Sequence, residues 1–462
     1  MKKRISFCVF IIHNNILKSK DMKALKLFMS LALVTVMFTQ CQKDEMSDVI
    51  PNGNLKSGQG PSKGTFTVTI KNVSEAYDFF ESGVFNTPDG ANSPGPLLPG
   101  NSYSATFHAS IGHKLTFATM FVKSNDLYYG PSDEGIDLFD NLFEGENAET
   151  IEITDMVYLW DAGTEVNQEP GTGPDQPLNG GPNTGTDENG NVMMVNDAFT
   201  YPDVDQTIKV TLEYDGISEF TLTIENLPGS FTPLAPGVWV THTQDNALYH
   251  DGMPDYGQGL EALAEDGMPG TLGGFLALNS GYVSPLAPGV WVVHNKNKVL
   301  FDEEKADHGD GLEALAEDGD PSGLAGWLAA EGFQSGVFNT PDGAAGPGPL
   351  MPGQSYSFSF EAKGGEYLSF ATMLVHSNDL FFAPSERGIR LFHGNLAEEG
   401  SITTQIILWD AGTEVNEYPG AGIHQPARLN GGVDENGVVM RIDDEFTYPA
   451  VDQVVEVTIT RN

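Results

Sequence analysis

The chain has 462 residues, 40% of them hydrophobic, and sets 23 Lys and Arg against 64 Asp and Glu for a formal net charge of −41. That excess of carboxylates repels nucleic acid and anionic lipid, so polyanionic partners are excluded unless divalent cations intervene. Two cysteines, Cys8 and Cys41, leave no disulfide framework, and the length suits about two to three domains with sizeable packed cores.

The first element reads as an export signal. Met22 opens it better than Met1 does: Lys23 and Lys26 give a short positive region, and an apolar run from Leu31 to Phe38 leads to Cys41. A membrane span needs roughly 20 apolar residues, so this run is a signal and Cys41 its lipidated cysteine. Residues 1–21 are then an extended leader or lie upstream of the true start. Residues 1–40 hold seven of the bases and one of the acids, so the remainder carries −47. Residues 42–63, which include Gly, Ser, Lys and Asp, read as a flexible tether. Membrane contact is expected only through the lipid.

Beyond the tether the chain repeats itself. Ser82–Gly90 recurs unchanged as Ser335–Gly343, and Phe117–Met120 returns as Phe370–Met373. Leu159-Trp-Asp-Ala-Gly-Thr-Glu-Val-Asn167 returns as Leu408–Asn416, and Phe199–Pro202 as Phe446–Pro449. A second duplication relates Pro233–Val240 to Pro285–Val292 and Gly259–Gly267 to Gly311–Gly319. Duplication on this scale predicts two copies of one fold. The expected domains are 64–214 and 217–462, the latter holding the duplicated block 233–267/285–319 and the former lacking it.

The local pattern is β. Phe66–Ile70, Phe220–Ile224, Tyr356–Phe360 and Val454–Ile459 alternate apolar and polar residues as half-buried strands do. Asp187-Glu-Asn-Gly190 and Asp434-Glu-Asn-Gly437 read as turns, the latter with a hairpin signature. Leu312, Leu315 and Ala316 fall on one helical face, so a short helix is expected in the second copy. Glu265-Asp266 and Glu317-Asp318 would then end short helices as solvated acids before Gly267 and Gly319. The result is an all-β fold of two antiparallel β-sandwiches in tandem.

Six carboxylates sit where strand-like runs end: Asp126, Asp161 and Glu165 in the first copy, Asp379, Asp410 and Glu414 in the second. Ca²⁺ takes 6–8 oxygen ligands, often from loops, so these are candidate metal ligands; the alternative is that they cap turns through their own backbone. Gly163 and Gly412 would let those loops turn tightly. His242 and His294 match across the inner repeat without a nucleophile beside them. Trp239 and Trp291 read as core side chains. Paired acids abound, so a glycan-active enzyme stays open as an alternative.

The ordered series Pro285-Leu-Ala-Pro-Gly289, His294, Gly311–Gly319, Phe370-Ala-Thr-Met373 with Ser377-Asn-Asp379, and Leu408-Trp-Asp-Ala-Gly-Thr-Glu414 resembles the spondin N-terminal domain family. The resemblance spans nearly all of the second copy and the later motifs of the first. It implies C2-like sandwiches, a calcium ion at the loop end held by the six carboxylates, and adhesion rather than catalysis. An extracellular matrix, polysaccharide or cell-surface ligand would be the partner, and the alternative is a scaffold whose ion is purely structural. Where the animal pattern has Ser-Pro-Asp-Trp, this chain has Ser-Asn-Asp-Leu. Gln42-Lys-Asp-Glu45 is similar to the surface-export signal of Bacteroidetes-type lipoproteins, which implies an outer-membrane, surface-exposed protein.

Overall fold

β1 (Lys63–Asn72) alternates as expected, burying Phe66, Val68 and Ile70. It does not complete the copy that follows it. In the computed structural model, which describes residues 62–462 except Asn141, Ala427, Leu429 and Asn430, β1 lies between β15 (Ser355–Lys363) and β24 (Val455–Arg461). Phe66 pairs with Phe360, the two rings stacked 5.8 Å apart, and Thr67 shares a 2.8 Å hydrogen bond with Ser359. The export signal, Cys41 and nearly all of the tether lie outside the described residues.

The fold is mostly β, with several antiparallel sheets and a few short helices. One unit contains a four-stranded sheet of β3 (Ser102–His108), β11 (Glu219–Asn226), β10 (Ile208–Tyr214) and β7 (Glu149–Glu152), in that order. Its second sheet runs β2 (Glu81–Phe85), β12 (Leu234–His242), β4 (Lys114–Phe121), β5 (Leu127–Gly130), β8 (Tyr158–Asp161), β9 (Met193–Met194), with β6 (Ile136–Asp137) on β4. The other unit repeats this order. Its four-stranded sheet is β15-β1-β24-β21, with β21 at Gly400–Ser401. The larger sheet begins with β14 (Gln334–Phe338), β13 (Leu286–His294) and β16 (Tyr367–Leu374). It continues through β17 (Leu380–Pro384), β22 (Ile406–Asp410) and β23 (Met440–Arg441), with β18 (Ile389–Arg390) on β16. β19 (Phe392–His393) and β20 (Leu396–Ala397) form a small hairpin.

The boundaries expected at 64–214 and 217–462 are therefore corrected. The first unit takes its central β11 and β12 from residues 219–242, and the second reaches back to β1. The units are nested, not tandem: the segment between Asn72 and Ser284 forms one whole unit inside a loop of the other. Sequence matching cannot assign such a strand, because Phe66–Asn72 and Phe220–Asn226 offer the same alternation to either copy. Two buried asparagines mark the equivalence. Asn226 Nδ2 donates to Leu97 O and Thr232 O and closes the short loop before β12. Asn72 Nδ2 donates to Leu350 O and Ser284 O, holding together the two ends of the insertion.

The helix-bearing block belongs to both units. α1 (Leu260–Asp266) and α2 (Gly270–Asn279) pack Leu260, Leu263, Leu272 and Leu276 against Ala118, Tyr128, Trp160 and Val238 of the first unit. α3 (Leu312–Asp318) and α4 (Ser322–Ala330) do the same against Val290, Ala371, Phe381 and Trp409. The first copy thus does not lack the block, and each unit has two main helices rather than one helix in the second copy alone. The larger sheet is covered on both faces: Phe117 and Phe121 of β4 face the four-stranded sheet, Ala118 the helices. Trp239 is 7% exposed within the inter-sheet core, and Trp291 stacks on Phe358 at 5.5 Å, as core residues do. The Pro-Gly of each repeated block sits at a β-bulge. A Cβ on Gly237 would lie 2.1 Å from Ala118 O, so only glycine fits. Among the described residues no helix is long and apolar enough to cross a membrane.

Candidate metal centres

The Trp-Asp-Ala-Gly-Thr-Glu segment is pinned by its indole. Trp160 and Trp409 are fully buried and donate Nε1–H to Pro131 O at 2.8 Å and Ala383 O at 3.2 Å. Asp161 and Asp410 follow at the ends of β8 and β22. Each takes the N–H of the glycine two residues on (2.7 Å in both copies) through Oδ1. Each Oδ2 accepts from an asparagine, Asn167 at 2.6 Å and Asn416 at 2.9 Å. These two aspartates cap their own turns. Gly163 and Gly412 adopt φ +67°, which lets the loop close on them.

Asp126 and Asp379 sit across the loop, both with no solvent exposure. Asp126 Oδ2 accepts N–H bonds from Thr164 (2.8 Å) and Glu165 (3.0 Å) and the Thr164 hydroxyl. Asp379 Oδ2 accepts the same set from Thr413 and Glu414. In both, Oδ1 is buried without a partner. A buried carboxylate oxygen left bare costs free energy unless a proton or cation meets it. Burial, and then the charge of Asp161, push the Asp126 carboxyl well up; burial and Asp410 push Asp379 up to about 7. Burial also raises Asp161 and Asp410.

Glu165 and Glu414 are buried beside these aspartates. Glu165 Oε2 accepts from Asn125 at 3.0 Å, and Glu414 Oε2 from Asn378 at 3.3 Å. Burial raises Glu414 as well. The structure brings each trio to one loop end, although among the described residues no three His, Cys, Asp or Glu side chains form a ready metal-binding group. The donors are all hard oxygens, as a calcium site requires, and the bare Oδ1 atoms of Asp126 and Asp379 fit a cation. The remaining ligands would have to come from carbonyls, water or a rearranged Asp161 and Glu165.

Sequence reasoning missed three features. Glu265 is 5% exposed rather than solvated: burial pushes its carboxyl up to about 7, with Thr164 opposing and Glu165 adding repulsion. Glu317 is only half-buried, but its carboxyl is pushed up to about 7 by the same causes, with Thr413 and Glu414 in the matching places. Acids at the dipole-disfavoured end of α1 and α3 were the available signal. Asn125 and Asn378, in the Ser-Asn-Asp motif, are fully buried spacers between the loops. The Asp434–Gly437 hairpin turn is corrected. Glu435 N–H donates to Thr413 O and Gly437 N–H to Gly412 O, so the segment runs along the carboxylate loop and covers it.

His242 and His294 are buried with both ring nitrogens engaged. Nε2 meets Thr116 Oγ1 at 2.8 Å or Ser369 Oγ at 2.9 Å, and Nδ1 meets a backbone carbonyl, so these rings brace the bulged strands. No protein-family model and no curated protein matches this chain.

Proposed function

We propose that this chain is an exported, lipid-anchored surface protein whose two C2-like sandwich units each bind Ca²⁺ at the carboxylate loop and serve adhesion. The observation that carries the reading is the bare, buried Oδ1 of Asp126, repeated at Asp379 in a second unit of independent sequence position. Its recurrence makes the bare oxygen a property of the repeated loop and not of one side chain's placement. Cys41 and the residues around it supply the anchor, and the resemblance to the spondin N-terminal family supplies the adhesive role. The partner is a matrix, polysaccharide or cell-surface ligand; the acidic surface disfavours nucleic acid.

Thermal unfolding of the full chain in Ca²⁺ and in chelator tests this. A cation that binds only the folded state stabilises it by about 2.7 kcal/mol at a hundredfold excess over its dissociation constant. The gain should shrink in Asp126→Asn and in Asp379→Asn. Equal midpoints with and without Ca²⁺, together with equal adhesion to matrix-coated surfaces, would overturn the proposal.

A further inference from the structure

The contact between the two units is chemically unlike the rest of the molecule. His108 of β3 stacks on Tyr418 with ring centroids 3.5 Å apart, and Tyr418 donates to Glu81 Oε1 at 2.8 Å. Behind this contact lies a cavity of about 250 Å³ with walls from both units and from the segments that join them. Arg428 lines it, held by Nη1 to Gly422 O (3.1 Å) and Nη2 to Gly420 O (2.7 Å). Those two bonds leave donors of the guanidinium's five unused. Among the described residues no carboxylate lies within ion-pair distance of it. Glu417, whose charge it feels, is spent on His424 through both oxygens.

His113 forms another part of the wall and is 5% exposed. Its Nδ1 accepts the Ser110 N–H at 3.1 Å, so the neutral ring must carry its proton on Nε2. That N–H has no protein partner among the described residues. The ring is stacked on Phe80 at 4.8 Å, which fixes its plane. Phe80, Tyr77 and Val283 supply apolar surface, and the one carboxylate on the lining, Asp78, is solvent-exposed.

We propose that this inter-unit cavity binds the carboxylate of a small organic acid, with Arg428 as the charge partner and His113 Nε2–H as a second donor. A half-buried guanidinium without a counter-charge is incompletely solvated, and a planar carboxylate matches its fork bidentately. One formal positive charge balances one carboxylate, whereas a sulfate or phosphate dianion would be left partly unpaired. The volume lies below the usual 300–1,000 Å³ range of drug-sized pockets, so the acid is small, and the aromatic wall takes its apolar body. Among the described residues the other copy has no such Arg and His pair. Where the other copy offers matching positions, Arg428 becomes Asn179 and His113 becomes Glu366. The site is a product of the insertion and shares no lining residue with the carboxylate loops.

Isothermal titration calorimetry of the full chain with benzoate, and with sulfate as comparison, tests this. Benzoate should give a saturable heat at one site, with sulfate at least tenfold weaker. Losing a charged hydrogen-bond partner should weaken benzoate by about tenfold or more in Arg428→Gln. Thr243→Trp should do the same by plugging the mouth, because Thr243 is an exposed lining residue, and it decides the matter if Arg428→Gln does not fold. Absence of saturable benzoate heat, unchanged affinity in the folded variants, or sulfate binding as tightly as benzoate would overturn the proposal.

Discussion

The two units share strand order, helices and carboxylate loops, yet they differ sharply where they meet. Tyr418, His424 and Arg428 of the host unit stand where the inserted unit has Glu169, Asp175 and Asn179. His108 and His113 of the inserted unit stand where the host has Glu361 and Glu366. The copies away from the junction keep acids or an amide; those at the junction carry a ring or a guanidinium that can stack and donate. Covering an acidic surface with another acidic surface costs desolvation and repulsion, so the junction required these replacements. The carboxylate loops were under no such demand and stayed alike, with the same hydrogen bonds residue for residue.

The largest effect should come from the buried indoles. Trp160→Ala and Trp409→Ala should each cost about 3–5 kcal/mol. They should differ in kind. An unfolded insertion becomes a long loop in the host, and each doubling of loop length costs only about 0.6 kcal/mol. Trp160→Ala should therefore give two calorimetric transitions with the host melting last, and a single merged transition would break the comparison.

Next come the paired asparagines. Asn72→Ala and Asn226→Ala each strand two carbonyls, at about 1–3 kcal/mol. Only the former should expose the ends of the insertion, so limited proteolysis should cut near residues 73–80 in Asn72→Ala and spare them in Asn226→Ala.

A smaller effect is pH-dependent. His424 presents Nδ1 to Glu417 and Nε2 to Glu146 at 2.9 Å, which only the imidazolium can satisfy with two donors. Burial opposes the charge, but the bonds and charges of Glu417 and Glu146 outweigh it and raise the pKa above 6.5. The stabilisation is thus fully present below about pH 6.5 and lost as pH rises through the raised value. The exposed Glu146 contributes little of it. Hydrogen exchange at residues 415–425 should quicken with pH beyond its intrinsic rate, and His424→Gln should abolish that excess. The bare aspartates act in the same direction: with both carboxyls raised above the unfolded value near 3.9, they favour the fold at low pH and weaken it as pH rises, Asp379 through about 7, without a cation.

Much of this architecture was legible. Alternation located β1, β11 and β15, and the exact repeats announced two copies with matching loops. Ownership of strands was not legible, since Phe66–Asn72 and Phe220–Asn226 are interchangeable by pattern and only long-range pairing decides between them. α2 and α4 were hidden by glycines and by apolar residues on every side, as in Gly270–Asn279. The aspartates of the candidate sites stood out because they follow strands. Glu265 and Glu317 gave only the weak signal of acids at a helix C-terminus, because nothing local reveals that they will pack beside Thr164 and Thr413. The junction was invisible for a related reason: His108, Tyr418 and Arg428 become informative only once the units touch.

Counting bound Ca²⁺ by native mass spectrometry of the full chain tests the central claim most directly. Two ions per chain are expected, one after Asp126→Asn or Asp379→Asn alone, and none after both. Ions absent at saturating Ca²⁺, or a count unmoved by the double substitution in a folded chain, would contradict the account and leave these carboxylates as turn caps held neutral by burial.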